Sequence, residues 1–90
     1  MPDTRWKKSQ HCIDRSIDGE TVLLDLKTGI YYSLNEVGSA VWRILQSGAT
    51  AAEIAEIVSS DYDVEPNTVH ADINELLNDL ASEKLISEET

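Results

Sequence analysis

The spacing of apolar residues changes character near Asn35, from an extended pattern with hairpin turns to a helical period. A first strand runs from about Ser9 to Ile17 and stops at Asp18-Gly19, a pair that accepts the positive φ of a two-residue hairpin turn. The second strand, Glu20 to Leu26, places Val22, Leu24 and Leu26 on one face and Thr21, Leu23 and Asp25 on the other. Lys27-Thr28-Gly29 fits a three-residue hairpin whose glycine supplies the left-handed position. A third strand follows from Ile30 to Leu34. The predicted sheet is an antiparallel meander with the first and third strands outermost.

Three helices are predicted after it. Asn35 suits the N-cap of the first, Glu36 supports its positive end, and Val37, Val41, Ile44 and Leu45 repeat at helical spacing with Trp42 beside them, until Ser47-Gly48 stops it. Thr50-Ala51-Ala52-Glu53 is a capping box that opens a second helix burying Ile54, Ile57 and Val58. After a break at Asp61 to Glu65, Pro66 is placed for the first turn of a third helix reaching about Glu83. Its apolar stripe is Val69, Ile73, Leu76, Leu77 and Leu80. The expected fold class is α+β, a winged helix-turn-helix-like domain in altered order, with a three-stranded antiparallel β-meander followed by three α-helices.

Ninety residues allow one domain with a modest core. The expected organisation is a flexible segment at 1–8, a single domain at 9–87 and a tail at 88–90. Met1 to Gln10 has Arg5, Lys7 and Lys8 but no apolar segment behind them, which excludes a secretion signal of the usual kind. No apolar run is long enough to span a bilayer. The expected location is therefore cytoplasmic, with no membrane contact. Cys12 is the only cysteine, so neither an internal disulfide nor a thiolate zinc cluster can form.

Charge is divided unevenly. Residues 1–43 hold six acids and six bases, whereas residues 44–90 hold eleven acids against Lys84 alone, giving the net charge of -10. Phosphate backbones are held by Lys and Arg displacing counterions, and the helix that would enter a DNA groove carries four acids, Asp72, Glu75, Asp79 and Glu83. Nucleic acid is excluded as a partner on these grounds. On that helix Asp72, Asp79 and Glu83 share one shoulder of the apolar stripe, with Glu75 slightly further round. This acidic rail either keeps the domain in solution or meets basic side chains of a bound peptide.

Catalytic chemistry finds no support. His11 and Cys12 are neighbours in an extended segment and point to opposite faces, and His70 is alone on a helix flank. No metal, cofactor or catalytic residue is expected. The third strand is more informative, because Ile30-Tyr31-Tyr32-Ser33-Leu34 carries no charge whereas the first strand carries Asp14 and Arg15 in its middle. Sheet edges are normally blunted by Lys, Pro or a bulge, so an unguarded edge points to an extended chain as ligand. The same edge would serve a structural module by pairing two copies.

The stretch Leu23-Leu24-Asp25-Leu26-Lys27-Thr28-Gly29-Ile30-Tyr31-Tyr32-Ser33-Leu34-Asn35-Glu36-Val37-Gly38, followed by a Trp42 helix, a Thr50-x-x-Glu53 helix and Asp72 with Leu76, Leu77 and Leu80, resembles the PqqD-like proteins over about residues 10–87. The resemblance implies a recognition element for ribosomally made, modified peptides (RiPPs), a non-catalytic adaptor that binds a precursor leader as an added strand and presents it to a separate enzyme. The Leu-Leu-Asp and Gly-x-Tyr-Tyr-x-Leu-Asn pattern is most similar to the stand-alone leader-binding proteins of lasso-peptide pathways, which implies a leader-cleaving cysteine protease and a cyclase as partners. The alternative within the family is a peptide chaperone of pyrroloquinoline quinone synthesis working with a radical enzyme.

The expected peptide-binding residues are Ile30, Tyr31, Tyr32, Ser33 and Leu34 on the strand, with Val69, Asp72, Ile73, Leu76, Asp79 and Leu80 on the third helix. Ile73 and Leu76 serve equally well as plain core. Tyr31 and Tyr32 point to opposite faces, one inward and one outward, and at least one of them is assigned to the leader. A monomer is expected.

Overall fold

The computed structural model describes residues 4–63 and 65–88. In chain order the elements are β1 (Arg5–Lys8), β2 (Cys12–Ile17), β3 (Glu20–Asp25), β4 (Tyr31–Leu34), α1 (Glu36–Leu45), β5 (Ala49–Thr50), α2 (Ala51–Tyr62), α3 (Pro66–Ser82) and β6 (Ile86–Glu88). The meander β2-β3-β4 and the three helices are those read from the sequence. β4 is the predicted third strand.

Local chemistry builds the meander. Asp18 and Gly19 adopt φ of 50° and 84°, the left-handed pair that lets a two-residue turn follow the twist of its strands. At the second hairpin Asp25 Oδ1 accepts from the N–H groups of Lys27 (2.8 Å) and Thr28 (3.4 Å), while Gly29 N–H donates to Asp25 O at φ 76°. Those backbone donors, that of Lys27 first, hold the Asp25 carboxyl below its ordinary range.

The face of β3 that is buried carries Thr21, Leu23 and Asp25, the more polar of its two faces. Leu23 lies fully buried in a core with Trp42, Leu45, Ile54, Leu77 and Leu85. Leu23 packs into the helix core from this face, and the Asp25 hairpin cap goes inward with it. The apolar set Val22, Leu24 and Leu26 is left on the outside, with Leu26 exposed.

The first two helices begin on their predicted caps, and Pro66 takes the first turn of α3. Asn35 Oδ1 accepts from Gly38 N–H at 2.8 Å, and the Thr50–Glu53 capping box is closed in both directions (2.9 and 3.1 Å). In α2 the buried arc is Ile54, Ala55 and Val58, and Ile57, expected inside, is exposed at the edge of that arc. Trp42 is held from outside the core, since its indole N–H donates to Asp14 Oδ2 at 2.9 Å. The same oxygen accepts from Lys8 Nζ at 3.0 Å.

The N-terminal region corrects the expectation of a flexible segment at 1–8. Arg5–Lys8 is the central strand of a second sheet, β5-β1-β6, with Trp6 opposite both Ala49 and Glu88. Three of its four residues are charged, so local pattern hides it. The strand exists because distant segments pair with it, and Arg5 closes the arrangement by bonding Glu53 Oε1 (2.9 Å) and Gly48 O (3.0 Å). Glu88, assigned to a tail, ends β6, and residues 1–3, 89 and 90 lie outside the described residues.

Candidate functional site

β4 pairs with β3 alone among the described residues, which leaves its other edge unpaired. The register determines which groups face that vacancy. Asp25 N–H donates to Ile30 O at 3.0 Å, so the alternate pairs Leu23–Tyr32 and Thr21–Leu34 are also hydrogen-bonded pairs. Leu24–Tyr31 and Val22–Ser33 are then the non-bonded pairs, and the N–H and C=O groups of Tyr31 and Ser33 point outward.

Alongside this edge runs a groove of about 450 Å3. Its apolar lining is Leu34 from β4, Val37 and Val41 from α1, and Val69, Ile73 and Leu76 from α3. Ser33, Asn35 and Asp72 supply polar groups to it, and Gly38 completes the corner between β4 and α1. A Cβ on Gly38 would stand 3.2 Å from Leu34 Cβ and 3.3 Å from Asn35 Oδ1, so a larger residue there would require the strand end or the cap to give by a few tenths of an ångström.

The expected site residues separate into four groups. Ser33, Leu34, Val69, Asp72, Ile73 and Leu76 line the groove together. Tyr31 and Tyr32 do split across the sheet: the Tyr31 ring is exposed on the outer face, and Tyr32 turns inward, half-buried. Ile30 sits in the hairpin, its carbonyl used internally and its N–H donated to Thr28 Oγ1 at 3.2 Å. Asp79 and Leu80 lie outside the groove lining, Leu80 buried in the core and Asp79 exposed further along α3.

The acidic rail is correspondingly shorter. Glu83 Oε2 accepts from Tyr32 Oη at 2.9 Å, which ties β4 to the end of α3 and pushes the Tyr32 phenol above its ordinary range. Asp72, Glu75 and Asp79 remain as exposed carboxylates.

Four lining residues were missing from the sequence reading: Asn35, Val37, Gly38 and Val41. The signal for them was the single-residue link between β4 and α1, which forces the first turn of that helix to stay beside the strand edge. Val37 is itself 43% exposed, a groove wall and not core. Among the described residues no group of His, Cys, Asp and Glu is arranged to hold a metal ion, and no helix is long and apolar enough to cross a membrane.

Residues 20–86 match the family described as coenzyme PQQ synthesis protein D, PqqD. The chain belongs to the PqqD family. Among solved structures it is similar to TbiB1 in complex with the TbiA(beta) leader peptide, at 36% identity and a TM-score of 0.85, over 93% of this chain and 98% of that one. It is similar also to a lasso peptide synthetase B1 complexed with the leader peptide, at 26% identity and TM-score 0.81, over 91% and 96% of the two chains. The solution structure of the PqqD truncation of Methylobacterium extorquens PqqCD, a RiPP recognition element, shares the fold at 24% identity and TM-score 0.77, over 92% and 88% of the two chains. None of the curated proteins compared matches the chain. The PqqD-family fold thus accounts for the meander and for the position of α3 beside β4.

Proposed function

We propose that this PqqD-family domain is a non-catalytic adaptor that binds the leader segment of a ribosomally made precursor peptide as a fourth strand on β4. The observation that carries the reading is the unpaired β4 edge bordering an apolar groove. The leader's main chain would bond to the outward groups of Tyr31 and Ser33, and alternate leader side chains would enter the groove between Leu34, Val69, Ile73 and Leu76. That two similar proteins were solved with leader peptides bound supports the same ligand class here.

The energetics require anchors as well as backbone bonds. Ordering a disordered leader costs about 2–5 kcal/mol, whereas each buried aliphatic or aromatic group contributes about 1.5–3 kcal/mol. Two or three apolar leader side chains are needed. The similarity to a lasso peptide synthetase B1 solved with its leader peptide supports a lasso peptide over pyrroloquinoline quinone synthesis as the pathway. The partners are then a leader-cleaving cysteine protease and a cyclase, with the domain acting as a cytoplasmic monomer.

The test is fluorescence anisotropy with a labelled leader peptide of a lasso precursor. Binding in the nanomolar to micromolar range that weakens tenfold or more when two apolar leader residues become Ala is the expected result. A leader that fails to bind, or binds equally well without its apolar residues, overturns the proposal.

A further inference from the structure

The outer face of the β2-β3-β4 sheet has the composition of a covered surface. Because β3 turns Thr21, Leu23 and Asp25 inward, Val22 and Leu24 face out, and the register aligns them into rows: Ile13–Leu24–Tyr31 and Arg15–Val22–Ser33, with the pair Ile17–Glu20 beyond at the hairpin end. Ile13, Ile17 and Tyr31 are 48%, 50% and 68% exposed, and they border a hollow of about 320 Å3. Scattered exposed apolar residues need no explanation, but a contiguous apolar patch on one sheet face does.

The chemistry of the face narrows its occupant. Backbone groups of a sheet lie in its plane, so nothing on this face can hold an extended strand by its main chain. Arg15 stands in the middle and makes no ion pair or hydrogen bond among the described residues. A partner that seats here must therefore offer apolar side chains around a carboxylate. A second copy fits poorly. Two chains of net charge -10 repel, and a two-fold pairing through the centre of the face sets Arg15 near its own symmetry mate. An anionic membrane surface is opposed by the same net charge.

The face also adjoins the leader edge, because β4 gives its main chain to one and the Tyr31 ring to the other. We infer that the outer sheet face around Ile13, Arg15, Ile17, Val22 and Leu24 docks the leader-processing enzyme, through an apolar surface of that enzyme centred on a carboxylate. The identity of the partner rests on the leader-binding reading. An enzyme held there lies across a single strand from the bound leader, which shortens the search for the cleavage site by raising its effective concentration.

The experiment measures binding of the domain, without leader, to a leader-cleaving cysteine protease of a lasso-peptide pathway, by sedimentation velocity and calorimetry. Leader affinity is measured separately by anisotropy. Ile17→Glu and Arg15→Glu alter exposed side chains and should lower protease affinity at least tenfold while leader affinity stays within twofold. Ile57→Glu, on exposed α2 surface, should change neither, and unchanged thermal melts confirm folding. Variants that bind the protease as the parent does overturn the inference. So does a parent domain that does not bind it, or one that sediments as a dimer which Ile17→Glu dissociates. A parent that binds the protease in a manner sensitive to Arg15 but takes no leader upholds the docking face and sinks the leader reading instead.

Discussion

Tyr32 Oη donates to Glu83 Oε2 across 2.9 Å, joining the open-edged strand to the far end of the helix that forms the opposite wall of the groove. The bond acts as a strut that fixes the spacing of β4 and α3 at one end. Tyr32→Phe removes the donor without removing the ring, so it should leave the fold intact and weaken leader binding severalfold, as read by anisotropy. Only the neutral phenol donates. Because the folded phenol titrates above its ordinary value, near 10, the strut is present below that pH and is lost as pH rises through the folded value.

The register of β4 makes neighbouring tyrosines inequivalent. Tyr31→Pro deletes an outward N–H, so it should spare folding and cost the guest strand one hydrogen bond, about 0.5–1.5 kcal/mol, or about two- to tenfold in Kd. Tyr32→Pro deletes an inward ladder donor and should destabilise the domain in urea unfolding. Equal behaviour of the two variants in both assays contradicts the deduced register.

Asp14 links three elements, accepting from Lys8 of β1 and from Trp42 and Gln46 of α1 or its end. Asp14→Ala leaves the indole N–H of a buried tryptophan without its acceptor. A loss of about 1–3 kcal/mol in denaturant unfolding is expected.

Acid should unfold the domain by the same contacts. The Trp42 N–H holds the Asp14 carboxyl below its ordinary value, and the backbone N–H groups of Lys27 and Thr50 do so for Asp25 and Glu53. Depressed carboxyls stabilise the fold above the unfolded pKa of about 4, and that stability is lost as pH falls through the folded values. A melting temperature flat from about pH 7 to 5 and falling steeply below about pH 4 is the expected profile.

Asp72 at the groove and Asp79 beyond it test the electrostatic part of recognition. With a leader carrying Lys or Arg, the double change to Asn should raise Kd by up to about fivefold at low ionic strength. The difference should vanish by about 1 M salt, where the screening length is about 3 Å. No change at low salt returns these carboxylates to a purely solubilising role.

Features governed by neighbours in the chain were legible in advance. Asp18-Gly19, Gly29, the Asn35 cap, the Thr50–Glu53 box and Pro66 each act within four residues, so turns and helix starts followed from residue type alone. The apolar stripe of α3 was equally legible, and it supplied Val69, Ile73 and Leu76 to the groove. Less legible were β1 and β6. Arg5–Lys8 reads as a charged segment, and its strand form depends on partners distant in the chain, Ala49–Thr50 and Ile86–Glu88.

Local signals thus established the meander, the three helices and an edge strand free of charge, because capping and turn chemistry are settled over a few residues. Long-range packing chose the rest. It turned Asp25 inward and left Val22 and Leu24 outside, committed Tyr32 to Glu83, and set α3 across from β4 to close the groove, since each of these depends on which distant surfaces meet once the chain has folded.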